Sequence, residues 1–185
     1  YKLIFFVFAD CIRYSVVELD TFNSFIGSAF EQLSQGFTSF DASCYLLCIK
    51  AGIEKDPEIL NSERMEILTH CWEIMSNDMS FIFTKSYLAN IFIFLGCHDM
   101  IPPELFVSSI QAFPMEVKLI TAEVCQLFLE NFQDLSNKDK NVMQEIVFGI
   151  IRLMGAGRSI RYTHKVERKE MVVALINLAL EMAEA

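Results

Sequence analysis

Apolar residues recur along this chain at the three- and four-residue spacing of a helix from end to end, and no stretch alternates with the period of two that marks a strand. The fold is therefore restricted to helices packed on helices. A first helix is expected over residues 3–17. A second follows a cap at Asp20 or Thr21, carries Phe22, Phe25, Ile26, Phe30 and Leu33, and stops at Gly36. A third starts near Ser39 or Asp41 and runs through Tyr45, Leu46, Cys48 and Ile49 to Gly52, a glycine placed for a left-handed helix end. Asp56-Pro57 opens the next turn. The fourth helix carries Ile67, Leu68, Cys71, Trp72 and Ile74 and ends in Ser76-Asn77-Asp78, and the fifth spans about 84–95 with Gly96 behind it. Pro102-Pro103-Glu104 begins a helix the way proline favours, since the N–H it lacks has no partner in a first turn. Further helices are expected over 105–113, 117–135, 138–154 and 163–184, with Ser136 and Asp139 spaced as a capping box.

The pattern repeats. Asp56 and Asp99 each follow a helix that ends at a glycine, and each precedes proline and then Glu-Ile or Glu-Leu, 43 residues apart. Phe40 and Phe83 open the helices that lead into these turns at the same spacing, and Ile120 opens a looser third copy that closes near Asn131. Short loops make neighbouring helices antiparallel. The expected architecture is all-α, a right-handed stack of antiparallel helical hairpins, as one α-solenoid domain over 1–185. Phe81, Phe83, Phe92 and Phe94 leave neither face of the fifth helix to water, as in a helix sandwiched between repeats.

Segments 40–52 and 83–99 pair a polar helix start with an ending of Ala51-Gly52 or Leu95-Gly96 and, in the second, Asp99. They resemble the degenerate hairpins of FAST-kinase-domain and RAP-domain proteins, the heptatricopeptide repeats. The resemblance implies work on organellar RNA, as an RNA-binding factor or as a structural part of a mitochondrial ribosome, and a mitochondrial matrix or other organellar location. HEAT-like and armadillo-like repeats share the same periodicity. Two other roles therefore stay open: a protein-binding HEAT-like adaptor that touches no RNA, and an accessory helical subunit of an enzyme complex.

Charge constrains the partner. The net charge of −9 argues against nonspecific nucleic-acid binding, which draws its affinity from Lys and Arg on phosphates. Against that acidic body, residues 158–169 hold five cations and one carboxylate. Arg158, Arg161, Tyr162, His164, Lys165, Arg168 and Lys169 combine bidentate phosphate donors with a ring able to stack on a base. This stripe is the candidate site for RNA backbone or an acidic partner. Its alternative is a solvated loop and first helical turn.

The remaining motifs read as packing. The apolar fraction is 53%, yet no apolar run approaches the roughly 18 residues that span a bilayer, so no membrane span is expected. Six cysteines sit inside apolar helical patterns, as free thiols of a reducing compartment do. Cys44 and Cys48 lie one turn apart without a second ligand pair, and His70-Cys71 and Cys97-His98 read as a surface histidine beside a buried thiol. Gly155-Ala156-Gly157-Arg158-Ser159 follows a helix and lacks the Gly-Lys-Ser/Thr ending of a phosphate loop. Glu123, Glu130, Asp134 and Asp139 have no histidine or nucleophile placed to work with them. No catalytic residue, metal or cofactor is expected. The opening at Tyr1, with no signal-peptide order over 1–9, reads as a fragment or a processed form. Segments 3–8 and 172–180 are the expected contact sites at the two ends of the stack.

Overall fold

The computed structural model describes residues 2–111 together with 141, 142, 144, 145 and 173. Among them every regular element is helical: α1 Lys2–Arg13, α2 Leu19–Gln35, α3 Ser39–Lys55, α4 Ser62–Asn77, α5 Ile82–Cys97 and α6 Pro103–Gln111, with 3-10 turns at Pro57–Ile59 and Met79–Phe81. Of the helices expected over 117–135, 138–154 and 163–184, residues 141, 142, 144, 145 and 173 are described and are helical, and the rest, with the third repeat copy and the Gly155 turn, lies outside the described residues. The chain divides into two compact units, Tyr1–Ile91 and Phe92–Ala185, with the division inside α5.

In the first unit α1 packs chiefly on α3, two elements further along the chain. The Phe5 ring meets Tyr45 edge-on at 6.3 Å, and the Cys48 thiol donates to the Phe5 carbonyl at 3.7 Å, 43 residues away. Two turns later Arg13 donates to Glu54 at 3.3 Å, 41 residues away. Partners advance together along both helices, so α1 and α3 run in the same direction. The start of α3 meets the start of α5 at a similar spacing, where the Ser39 and Thr84 hydroxyls lie 2.6 Å apart and Thr84 also donates to the Ser39 carbonyl. By contrast α2 is antiparallel to α3, since Phe22 near its start lies beside Gly52 and Lys55 near the end of α3. Phe8 on Phe25 joins α1 to α2, and Arg64 over the Phe30 ring joins α4 to α2.

The helix ends have local causes. Thr38 caps α3 by accepting from the Asp41 N–H, and Asn61 caps α4 by accepting from the Arg64 N–H at 2.8 Å. Helix α4 ends at Asn77, within the expected polar triplet. Gly36, at φ 115°, closes α2 where a side chain would be strained. Three boundaries differ from expectation. Helix α1 stops at Arg13 rather than near residue 17, because Ser15 turns left-handed at φ 58° and the Ser15 and Val16 N–H groups fold back to Ile12 and Cys11, a Schellman ending. Helix α2 starts after Glu18, without a side-chain cap, instead of at Asp20 or Thr21.

The third difference concerns the repeat glycines. Neither Gly52 nor Gly96 is a left-handed cap; both lie inside their helices. Each is small because another side chain presses on it: a methyl at Gly52 would come within 3.0 Å of Ile59 and 3.2 Å of the Phe22 ring, and one at Gly96 would overlap the Phe106 ring. In the second unit the left-handed position belongs to Asp99, at φ 57°, with Asp99 and Met100 N–H groups donating to Gly96 and Leu95. Its repeat counterpart Asp56 is extended at φ −148° and caps the 3-10 turn through the Glu58 N–H. One sequence echo thus serves two different backbones.

Burial separates the helices. Helix α3 buries residues on every side, from Ala42, Cys44, Leu46 and Leu47 to Cys48, Ile49, Ala51 and Ile53. Over α5, Leu88, Ala89, Ile91, Phe92, Ile93 and Leu95 are fully buried, while Phe94 is half-buried.

Candidate functional site

Helix α1 has the sequence Lys-Leu-Ile-Phe-Phe-Val-Phe-Ala-Asp-Cys-Ile-Arg, apolar on all sides apart from Lys2, Asp10 and Arg13. A helix of that kind is normally buried all round. Here only one face is covered. Ala9 and Ile12 are fully buried, and Phe5 and Phe8 lean on Tyr45 and Phe25. The opposite face carries Ile4, Val7, Cys11 and Tyr14 at spacings of three and four residues, and Ile4 is 64% exposed, Val7 56% and Tyr14 78%. Cys11 in the middle of this stripe is half-buried. Val16 and Leu19, both about 70% exposed, extend the apolar surface across the loop into α2. Scattered surface leucines are ordinary, but a contiguous stripe along one helix marks an interaction surface.

Charge sits at one end of the stripe. Arg13 donates to Asp10 at 2.9 Å and to Glu54 at 3.3 Å, and Glu54 also meets Lys50 at 3.1 Å. The lysine is nearly buried, so Glu54 compensates a cation held out of water, while Arg13 ties α1 to α3 across the top of the site. Asp10 points outward and keeps an exposed carboxylate edge beside Tyr14 in sequence.

The thiols sort by access. Burial pushes Cys48 up to about 12, with neighbouring Cys44 adding to the rise and Arg13 opposing it, and burial raises Cys71 to about 12 as well. Thiols so shifted form almost no thiolate at neutral pH and neither react nor ligate readily. Cys44 and Cys97 are also buried, which makes Cys11 the accessible thiol among the described residues. The readings of Cys44 and Cys48 as core, and of His70 and His98 as surface residues beside buried Cys71 and Cys97, agree with this arrangement. His70 lies 3.8 Å from Glu73, and His98 packs on Phe94 at 4.6 Å. Among the described residues no three side chains of metal-ligating type come together, and no helix is long and apolar enough to cross a membrane.

Elsewhere Lys85 stands 4.6 Å over the Trp72 ring, and partial burial lowers its pKa. That pairing joins α4 to α5. Arg158, Arg161, Tyr162, His164, Lys165, Arg168 and Lys169, the basic stripe, lie outside the described residues, as do Glu123, Glu130, Asp134, Asp139 and, apart from Val173, which is 48% exposed, segment 172–180. Of the expected contact sites, the one at 3–8 is described, and there Ile4, Phe6 and Val7 are exposed. Sequence reading placed it but missed its extension through Cys11, Tyr14, Val16 and Leu19. The signal for that was the shortage of charge in α1: a solvated helix face needs more than Asp10.

Compared with protein-family models, curated proteins and solved structures, the chain matches none of them.

Proposed function

We propose that this chain is a noncatalytic helical-repeat scaffold, an α-solenoid of HEAT-like or heptatricopeptide-like hairpins that works by presenting helix faces to other subunits of a large assembly. The observation that carries the reading is α1, apolar on every side and covered on one. Spacings of 41 and 43 residues between partners on α1 and α3, and of 45 between Ser39 and Thr84, support a stacked repeat. A contiguous apolar face of this kind is characteristic of surfaces that other components cover.

The assembly we propose is an organellar ribonucleoprotein, such as a mitochondrial ribosome or an RNA-processing complex. The resemblance of segments 40–52 and 83–99 to heptatricopeptide repeats supports it, together with the basic stripe of Arg158, Arg161, Tyr162, His164, Lys165, Arg168 and Lys169. Crosslinking the protein in its native assembly, followed by mass spectrometry of the peptides covering 158–169, tests the RNA contact. RNA adducts on those peptides are expected, with a salt-sensitive loss of RNA association when Arg161, Lys165 and Arg168 become glutamate. Protein adducts alone would replace this reading with that of a protein-binding adaptor.

A further inference from the structure

The loop that joins α1 to α2 holds a serine with no part in the packing. Ser15 is exposed, as are Tyr14 and Val16 on either side of it. Its hydroxyl makes no hydrogen bond among the described residues, whereas Ser34, Ser43, Ser108 and Ser109 turn theirs back onto helix carbonyls. The backbone is held there only by the end of a helix. The Ser15 N–H donates to Ile12 at 3.1 Å and the Val16 N–H to Cys11 at 2.9 Å, and residues 16–18 belong to no helix. Bonds at a helix end open first, and a serine leaving φ 58° for an extended conformation sheds strain. The segment can therefore present its hydroxyl in the extended form in which protein kinases hold a substrate. Charge adds a direction to this. Glu18 stands three residues after Ser15 and Asp20 five, both exposed, and Glu18 precedes α2 without capping it. The nearby cation, Arg13, is engaged by Asp10 at 2.9 Å and by Glu54 at 3.3 Å. A second protein approaching this loop meets a free hydroxyl followed by two carboxylates, which complement a basic groove.

We propose that Ser15 is a phosphorylation site, modified by a serine kinase whose basic groove reads the carboxylate three positions downstream. The Ser15 oxygen attacks the γ-phosphorus of ATP and its proton passes to the kinase's catalytic base. The bond from that phosphorus to the β,γ-bridging oxygen breaks, and ADP leaves. Among the described residues the same spacing to a carboxylate occurs at Ser28 with Glu31 and at Thr38 with Asp41, and neither offers this access. Ser28 lies inside α2, and the Thr38 hydroxyl caps α3 and donates to the Asp41 carboxylate at 2.7 Å. The modification adds about −1.5 to −2 charge at neutral pH. That charge falls among Tyr14, Val16 and Leu19, which are 78%, 71% and 70% exposed, and turns an apolar corner of the surface anionic.

Phosphorylation of the folded full chain in vitro tests this, using an acidic-directed serine kinase of the casein-kinase type with MgATP, and fragmentation mass spectrometry to place the phosphate. Phosphate is expected on Ser15, at an initial rate about tenfold or more above that at Ser28 or Thr38, because the helix end opens more readily than a helix interior or an occupied cap. Ser15→Ala is expected to remove it. Glu18→Gln keeps the side chain's size and removes its charge, and is expected to slow Ser15 about tenfold, as the loss of one charge-assisted contact does. Both positions are exposed, and circular dichroism confirms that each variant keeps its helices. No phosphate on Ser15, a rate that Glu18→Gln leaves unchanged, or modification of Ser15 only after the chain is denatured would overturn the proposal.

Discussion

Helix α3 buries apolar side chains on every side, whereas α1, which packs parallel to it, buries Ala9 and Ile12 and leaves Ile4, Val7 and Tyr14 in water. Helix α1 is the more apolar in sequence and runs parallel to α3, yet α3 is enclosed by its neighbours and α1 is not. The contrast teaches that composition alone does not make a core. Which side a neighbouring helix covers decides which apolar faces are enclosed and which stay in water. Matched substitutions break or sharpen the comparison.

The largest effect is expected from a charge placed at equivalent depths of the two helices. Ile49→Asp puts an unpaired carboxylate where no solvent reaches, and a loss beyond about 4 kcal/mol is expected, enough to unfold the chain. Val7→Asp on the open face is expected to shift stability by no more than about 0.5 kcal/mol while weakening retention in the assembly. Urea unfolding midpoints of the two variants, compared with wild type, measure the difference. Comparable losses in both would mean that α1 is covered from within the chain.

A smaller effect is expected at the repeat glycines. Gly96→Ala drives a methyl into the Phe106 ring, and a cost of about 1–3 kcal/mol follows from overpacking. Gly52→Ala meets the end of the Ile59 side chain and the rim of Phe22, which yield more easily, and the better helix propensity of alanine offsets part of the strain. Its net change is expected below about 1 kcal/mol. Equal costs at the two sites would contradict the packing described around them.

The two aspartates separate in size. Asp56→Ala removes the acceptor of the Glu58 N–H and is expected to cost about 1 kcal/mol. Asp99→Gly relieves a left-handed residue in a Schellman turn but also gives up the Asp99 side chain's own interactions, and its net change is expected to stay within about 0.5 kcal/mol. Thermal melts of both variants suffice, and a loss at Asp99 as large as that at Asp56 would contradict the difference.

The smallest effect concerns Asp78, whose carboxylate accepts the Ser80 N–H at 2.8 Å and is held below its ordinary value by that bond and by the Ser80 hydroxyl. A carboxylate depressed in the folded state stabilises it above the unfolded pKa and loses that contribution as pH falls through the folded pKa. The Asp78 carboxyl, followed by NMR between pH 6 and 2, is therefore expected to titrate below 3.8. A midpoint at or above that value would mean that the Ser80 bond is not kept in solution.

Much of the fold was legible in the residues, because helix periodicity, proline-first starts and polar stops are local signals. Pro103 opens α6 and Asn77 closes α4 as the sequence indicates. What was not legible was tertiary. Gly52 and Gly96 look like caps, since a glycine near a helix end usually is one, and only the positions of Phe22 and Phe106 show that they are packing glycines. Ser15 carries no sequence sign of its left-handed turn, so periodicity alone extends α1 to residue 17. The open face of α1 was half legible: Ile4, Phe6 and Val7 fall in the expected contact segment, but recognising Cys11 and Tyr14 as its continuation required knowing which side α3 covers. The basic stripe of 158–169 remains a sequence observation.

The central claim, that α1 presents a face covered only in the assembly, is tested most directly by alkylation of thiols with a small maleimide at neutral pH, on the isolated chain and on the native complex. Cys11 is expected to react readily in the isolated chain and to be protected in the complex, while Cys48 and Cys71, raised to about 12 by burial, stay silent in both. Equal Cys11 labelling in both states would contradict the claim, because the stripe around it would then face water wherever the protein works.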